Sequence, residues 1–374
     1  MNIKPFSLLC LIVIGILTYS TTLSAYNGLS FGTLRQQGMG GVGIAQTFDS
    51  SAMYINPAGL SEAKSEIKLP RVRVDVNSTT LANSSKIQDL LNAKTKDERL
   101  NKLKLLVPLT VAFKPAVPTV ISFIKPGFGI GVFGQGDIYA RFVNPVVPQI
   151  ILEGAEDLSP MIAASSRWRL FDTDVAIGMT VRYIARSQIL DPITGDTTLI
   201  RNSSDLMNGD DGSFTINPTT LTGIGGDVGA LMPLGTGKLG VVLYNIGSTL
   251  SGTTPSQNAV TKTIPMFVGI GYAQTIDASS IPLVGGLLGS FDAGADVKFQ
   301  YNDMYKNIYL GVEKQLFGDF IKLRAGLHQG YATAGLGLDA FIFHIQYAYY
   351  TEEKGLKVGN NPESYHGLEI GILL

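Results

Sequence analysis

Few residues in this chain of 374 have the type and spacing that chemistry requires. Gly38, Gly40 and Gly43 spell G-x-G-x-x-G, and Glu62 follows at roughly the 20-residue distance of a ribose-binding acid. A dinucleotide site also needs a buried strand before the glycines and a helix opening directly after them. Ser30 to Gln37 precede them instead, and no strand–helix alternation follows. The run Gly38-Met39-Gly40-Gly41-Val42-Gly43 therefore reads as a turn that lets backbones approach closely. The histidines, His328, His344 and His366, stand far apart, without H-E-x-x-H or G-x-S-x-G. A hydrolase built on a wall of strands stays a distant third reading, because such sites bring together residues far apart in sequence. Asp205, Asp210 and Asp211 invite a calcium loop. A glycine at loop position six would put Met207 at position one, so the spacing fails. We expect no catalytic residue, no cofactor and no metal.

The elements that position these residues begin with targeting. Lys4, the apolar stretch Phe6 to Leu17 and the small residues near Ala25 form a secretory signal, residues 1–25. The single cysteine, Cys10, lies inside it. It follows Leu9, so a lipoprotein signal is not expected. The mature chain then has no disulfide and no thiolate chemistry. Charged residues make up 16% and the net charge is −1, which excludes a nucleic-acid surface. After residue 25 no apolar run approaches the ~18 residues of a membrane helix. An exported, hydrophobic chain without such helices points to a closed β-barrel, which pairs every backbone group and turns apolar side chains to lipid.

Alternation supports that fold. From Asp174 to Arg186, Val175, Ile177, Met179, Val181 and Tyr183 oppose Ala176, Gly178, Thr180, Arg182 and Arg186. Val72, Val74 and Val76 oppose Arg71, Arg73 and Asp75. Phe291, Ala293, Ala295 and Val297 oppose Asp292, Gly294, Asp296 and Lys298. Each segment has one face for lipid and one for a lumen. About 14 such strands fit residues 64–374 as an antiparallel transmembrane barrel. They lie near 66–77, 105–114, 126–142, 160–170, 172–189, 220–233, 237–247, 264–276, 289–301, 306–315, 320–328, 331–337, 339–351 and 364–374. The outer loops include 78–104, 143–159, 190–219, 248–263 and 352–363. Short inner turns fall near Phe171, Pro233 to Gly237 and Leu338; Pro115–Lys125 and Ile276–Leu288 are longer inner connections. Asn83 to Leu103 has helical spacing, with Ser84 or Ser85 as its cap. Tyr347, Tyr349, Tyr350 and Trp168 suit interface girdles.

Before the first strand stands Asp49-Ser50-Ser51-Ala52-Met53-Tyr54-Ile55-Asn56-Pro57-Ala58-Gly59-Leu60. Asn56 can cap free amides and Pro57 is preorganised for a first helical turn. With the glycine run, this stretch resembles the N-terminal hatch of the FadL-type outer-membrane transporters, most specifically at Asn56-Pro57-Ala58. That superfamily includes PorV-like and TraF-like members. The close match covers about 25 residues, and the rest agrees in architecture. The resemblance implies that residues 26–63 form a plug: Asn56, Pro57 and Ala58 as hatch motif, Gly38, Gly40, Gly41 and Gly43 as hatch glycines. It implies a third strand kinked near Gly134 and Gly136, opening a side gap toward the membrane. Arg71, Arg73, Arg182, Arg186, Lys298, Lys322 and Arg324 fall on expected lumen faces. They could hold a fatty carboxylate, though such charges more often pair with one another or with a plug.

The reading is therefore an outer-membrane barrel passing hydrophobic, fatty-acid-like molecules under control of a hatch. Its partners would be membrane lipids, lipopolysaccharide and a hydrophobic ligand. The alternative is a barrel that anchors or shuttles a secreted protein, or serves conjugal transfer.

Overall fold

The computed structural model describes residues 32–372, apart from 171, 209–212, 215, 280–288, 319 and 341. The expected signal segment, residues 26–31 of the expected plug, the centre of the acidic loop and most of the Ile276–Leu288 connection lie outside the described residues.

The chain forms a closed antiparallel wall of 14 strands. In chain order β1 is Arg71–Asn77, β2 Leu109–Lys125, β3 Phe128–Val143, β4 Gln149–Leu170 and β5 Thr173–Gln188. Then come β6 Thr219–Leu234, β7 Gly237–Thr253, β8 Phe267–Asp277 and β9 Ser290–Lys298. The last are β10 Ile308–Leu316, β11 Ile321–His328, β12 Tyr331–Ala340, β13 Phe343–Glu353 and β14 Pro362–Ile372. The wall closes where β14 pairs with β1, from Tyr365↔Asn77 to Gly371↔Arg71. Closure leaves no free edge for another chain.

Alternation sets the faces as expected. Ile177, Met179, Val181 and Tyr183 are exposed, while Ala176, Thr180, Arg182 and Arg186 are buried. The outer, apolar face suits lipid and the inner one is rich in charge.

Strand lengths differ from expectation in three places: β2, β4, and β7, which runs on to Thr253 and there pairs with Ala259–Thr263, inside the expected loop 248–263. β2 continues through Pro115 to Lys125, a stretch whose prolines suggested an inner connection. Pro115 has no register partner on β3, and Pro118 falls in a register break between Val117 and Ile121; proline is tolerated where ladder bonds are missing. β4 starts at Gln149, so the expected loop 143–159 shrinks to five residues, 144–148. The expected single helix at 83–103 is three: Ser78–Ala82, Ser84–Leu91 and Lys96–Leu106. Asn77 and Thr95 cap the first and third through their side chains, and neither Ser84 nor Ser85 is a cap. Leu90 and Leu103 pack with Leu109, Phe142 and Ile150 at the rim. These helices and the other long loops mark the outer end; the turns at 126–127 and 235–236 mark the inner one.

Candidate lumen site

Residues 33–63 lie against the inner face of the wall. Thr33 caps the helix Leu34–Gly38 and forms a capping box with Gln36. The chain then turns at Gly40 and Gly41, with φ of +66° and +89°. A Cβ on Gly40 would stand 2.1 Å from the Leu310 carbonyl oxygen, so both conformation and space demand glycine there. After the helix Ala52–Ile55, extended Asn56 opens the 3₁₀ turn Pro57–Glu62, its side-chain oxygen accepting from Ala58 N at 3.1 Å. Asn56 does more than cap: its Nδ2 donates to the Ile44 carbonyl at 2.8 Å and to the Ala230 carbonyl at 3.2 Å. One side chain joins the two halves of the segment and ties both to β6.

The wall answers with glycines of its own. A Cβ on Gly311 would meet Met39 O at 2.1 Å, on Gly326 Gly40 N at 2.6 Å, and on Gly294 Val42 Cγ1 at 2.6 Å. On Gly240 it would meet Ile44 O at 2.7 Å, on Gly229 Asn56 Oδ1 at 2.1 Å, and on Gly178 Pro57 C at 2.4 Å. These positions are in register: Gly294↔Gly311, Gly311↔Gly326, Gly240↔Gly271 and Gly178↔Gly229. A belt of missing side chains thus seats the segment around most of the circumference. Sequence reasoning missed it. The signal was there, as glycine recurring at inward positions of successive strands.

Wall side chains complete the seat. Asp296 Oδ2 accepts from Gly43 N at 2.8 Å and Ile44 N at 3.1 Å. Lys298 Nζ donates to the Gly41 carbonyl at 2.8 Å and lies over the Tyr309 ring. Thr333 Oγ1 accepts from Gly40 N and donates to the Gly38 carbonyl, both at 3.0 Å. Thr180 Oγ1 donates to Met53 O and Tyr244 OH to Ile55 O, each at 2.6 Å.

Each expected lumen cation has a protein partner. Arg73 holds Asp75 and donates to Gly32 O at 2.8 Å. Arg182 pairs with Asp227, and Arg186 grips Asp157 through two bonds of 2.7 Å. Arg324 and Arg35 share Glu313, at 2.6 and 3.0 Å. Lys322 pairs with Asp339. Arg71 reaches His344 at 3.1 Å and Glu369 at 3.5 Å. His344 bonds Asp339 through Nδ1, His328 bonds the Thr351 carbonyl, and His366 bonds Tyr347. Among the described residues none of these histidines bonds a serine, and no group is arranged to hold a metal.

Above the segment lies a chamber of about 1180 Å³, floored by Gln36, Gln37, Gly41 and Tyr54 and reaching the outer loops. Tyr305 and Leu356 at its rim are largely exposed. On its wall Lys114, Glu352, Lys354 and Asp137 form a ring of alternating charge, with contacts of 2.5, 3.3, 3.0 and 3.8 Å. Burial opposes the charge on Lys354, but Asp137 and Glu352 hold its pKa well above the ordinary lysine value. Burial pushes Lys306, on the same rim, below that value, with Glu353 opposing the shift. Pro118, Gly134 and Gly136 line the chamber where the wall is irregular. The extra residues there belong to β2, between Val117 and Ile121; β3 pairs with β4 without interruption from Phe128 to Val143.

The sequence matches no protein-family model and no curated protein. Solved structures of similar fold include the CymD monoaromatic hydrocarbon channel, at 12% identity and TM-score 0.44, covering 93% of this chain and 97% of that one. The Pseudomonas putida toluene transporter TodX is 10% identical, TM-score 0.45, with 93% and 98% covered. The Ralstonia pickettii toluene transporter TbuX is 15% identical, TM-score 0.45, with 92% and 98% covered. These channels belong to the FadL family, the one that the N-terminal residues of this chain resemble. At these identities the likeness is one of fold.

Proposed function

We propose that this chain is an outer-membrane channel that takes up small hydrophobic molecules, with residues 33–63 as its hatch. One observation carries the reading: a wall that is apolar outside encloses a chamber reaching the outer rim, and the floor of that chamber is the N-terminal segment. A ligand entering from outside meets Tyr54 and the glycine turn and can go no further while the segment stays seated. Two exits are available. The segment can leave its glycine belt, or the ligand can pass sideways at the β2 irregularity beside Pro118 and Gly134. The solved neighbours named for toluene and monoaromatic hydrocarbons suit a channel for small apolar molecules. Burial contributes about 0.8 kcal/mol per CH₂, so modest ligands can be held.

The test is uptake of a hydrophobic fluorescent probe by cells carrying the parent or Asn56→Ala/Pro57→Gly. The pair removes the cap, the Ile44 and Ala230 bonds and the φ restriction together. Uptake should change several-fold while heat-modifiable migration on gels is kept. Unchanged uptake in a correctly assembled variant rejects the hatch.

A further inference from the structure

We propose that the helices Ser84–Leu91 and Lys96–Leu106 form a collar that binds phosphate-bearing lipid of the outer leaflet, with Lys86 and Lys104 on the phosphates and Leu105 among the acyl chains. This rests on the barrel spanning the outer membrane and is independent of the hatch.

The helices lie on the outside of the wall. Lys114, Ala116, Tyr139, Arg141, Ile151 and Glu153 line the chamber. Side chains along a strand alternate faces, so Leu109, Val111, Ala140, Phe142, Ile150 and Leu152 point outward. These are the residues against which Ile87, Leu90, Leu100, Leu103 and Leu106 pack. Among the described residues none of 84–106 lines the chamber. Further along the same outward faces, Phe113 on β2 and Leu158 on β4 are exposed, as lipid-facing residues are. Leu109 stands four residues above Phe113, about 13 Å along the strand. The helices thus occupy the first level beyond the lipid-exposed band, where headgroups lie.

Their charge suits an anionic surface. Residues 84–106 carry Lys86, Lys94, Lys96, Arg99, Lys102 and Lys104 against Asp89, Asp97 and Glu98, a net +3 in a chain whose total is −1. Glu98 is taken by Lys102 at 2.8 Å. Asp97 lies in the first turn of its helix, where the helix dipole favours an anion. Asp205, on the neighbouring turn Ser203–Leu206, bonds Asn202 at 3.1 Å. Lys86, Lys94 and Lys104 are exposed, and among the described residues none of the three forms an ion pair.

The helix pair brings two of these lysines to an exposed leucine. Lys102 Nζ donates to the Asp89 carbonyl at 3.0 Å, and Arg99 donates to the Ala93 carbonyl at 2.9 Å. Continuing that antiparallel register sets Lys86 level with Lys104 and Leu105. Leu105 lies two residues from fully buried Leu103, on the opposite side of the helix, and is 86% exposed. Water gives such a leucine nothing. At headgroup level its side chain enters the acyl boundary, while the lysine stems carry their charge to the phosphates.

Native mass spectrometry of the full barrel in mild detergent, with diphosphorylated lipid A and its dephosphorylated form offered at equal concentration, tests the collar. The parent should retain the diphosphorylated form at least fivefold over the other, and the preference should shrink as salt rises. Lys86→Gln/Lys104→Gln should bring the preference close to one, and Leu105→Asn should weaken retention of both lipids alike. Lys357→Gln, at an exposed lysine of the loop joining β13 to β14, should change nothing, and heat-modifiable migration checks assembly of each variant. A parent that holds the two lipids equally overturns the proposal. So does a double variant whose preference matches the parent's. Uptake absent with the lipid preference intact rejects the channel alone, and a lipid preference absent with uptake intact rejects the collar alone.

Discussion

The two halves of the N-terminal segment are fixed to the wall by the same contacts in different proportion. Residues 34–44 run along β8–β14, where strands have 8 to 11 residues. There the segment's own backbone is held, by Asp296, Lys298 and Thr333, over wall glycines. Residues 52–60 face β3–β6, with 16 to 22 residues per strand. Here Thr180 and Tyr244 hold the backbone too, and a larger apolar cluster is added: Met53, Tyr54, Ile55 and Leu60 are buried with Ile124, Phe133, Met161 and Ala163. A net intramolecular hydrogen bond contributes about 0.5–1.5 kcal/mol, and a buried large apolar side chain about 1.5–3 kcal/mol. The first half also buries Leu34, Met39, Val42 and Ile44, so what sets it apart is a glycine turn against wall glycines, where an added atom meets backbone.

The largest expected effect comes from filling the belt. Gly311→Val would place Cβ 2.1 Å from Met39 O and 2.8 Å from Met39 C, and both are backbone atoms that cannot swing aside. Residues 38–44 should be expelled while the barrel still assembles. Planar-bilayer conductance should rise severalfold over the parent, with heat-modifiable migration kept. A variant conducting like the parent would mean that the first half does not obstruct the lumen.

The second half is probed by Phe133→Ala. Phe133 is fully buried and meets Tyr54 edge-on with centroids 5.2 Å apart. Truncating a buried phenylalanine costs about 3–5 kcal/mol. Thermal unfolding in detergent should start earlier, and protease should cut near Tyr54. Conductance should rise less than with Gly311→Val, because the glycine turn stays seated. A rise equal to that of Gly311→Val would collapse the distinction between the halves.

Asp296→Ala is the gentler attack on the first half. It strips the acceptor from Gly43 N and Ile44 N, which become unsatisfied unless water enters. Leaving such groups unpaired costs about 1–3 kcal/mol. The expectation is brief conductance openings rather than a permanent rise. A silent bilayer recording would show that Lys298, Thr333 and Asn56 suffice.

Sequence alone made most of this wall legible. Alternation located all the strands because a side chain placed on the wrong face of a barrel meets lipid or a crowded lumen. Where the alternation lapsed, the boundaries slipped: Pro115 and Pro118 hid the second half of β2, and the first half of β4 was read as loop. The signature Asn56-Pro57-Ala58 was visible as a cap, and its bonds to Ile44 and Ala230 were not, since tertiary partners leave no local trace. The wall glycines could be placed on inward faces, but not joined into a belt. Each looks like a turn or a weak strand position until its register neighbour is known. Lumen charges could be placed but not paired, because pairing depends on which strands adjoin.

The smallest expected effect falls on the residue that the resemblance singled out for a kink. A Cβ on Gly134 would meet Val117 O at 3.6 Å and Asp157 O at 3.7 Å, ordinary contact distances, and its φ is not positive. Gly136 is tighter, at 3.0 Å from side-chain carbons of Glu156 and Pro115 and 3.2 Å from the Pro115 carbonyl oxygen. The irregularity opposite them is produced by β2, whose Pro118 cannot donate to a ladder. Gly134→Ala should therefore stay within about 0.5 kcal/mol of the parent in stability and pass the same probe at the same rate. Gly134→Trp should fill the space beside Pro118 and slow probe release into the membrane without touching the glycine turn or changing the conductance from that of the parent. If alanine alone abolished uptake, the gap would depend on β3 flexing at Gly134, and the tall wall would be a moving part, not the rigid frame that its uninterrupted pairing with β4 describes.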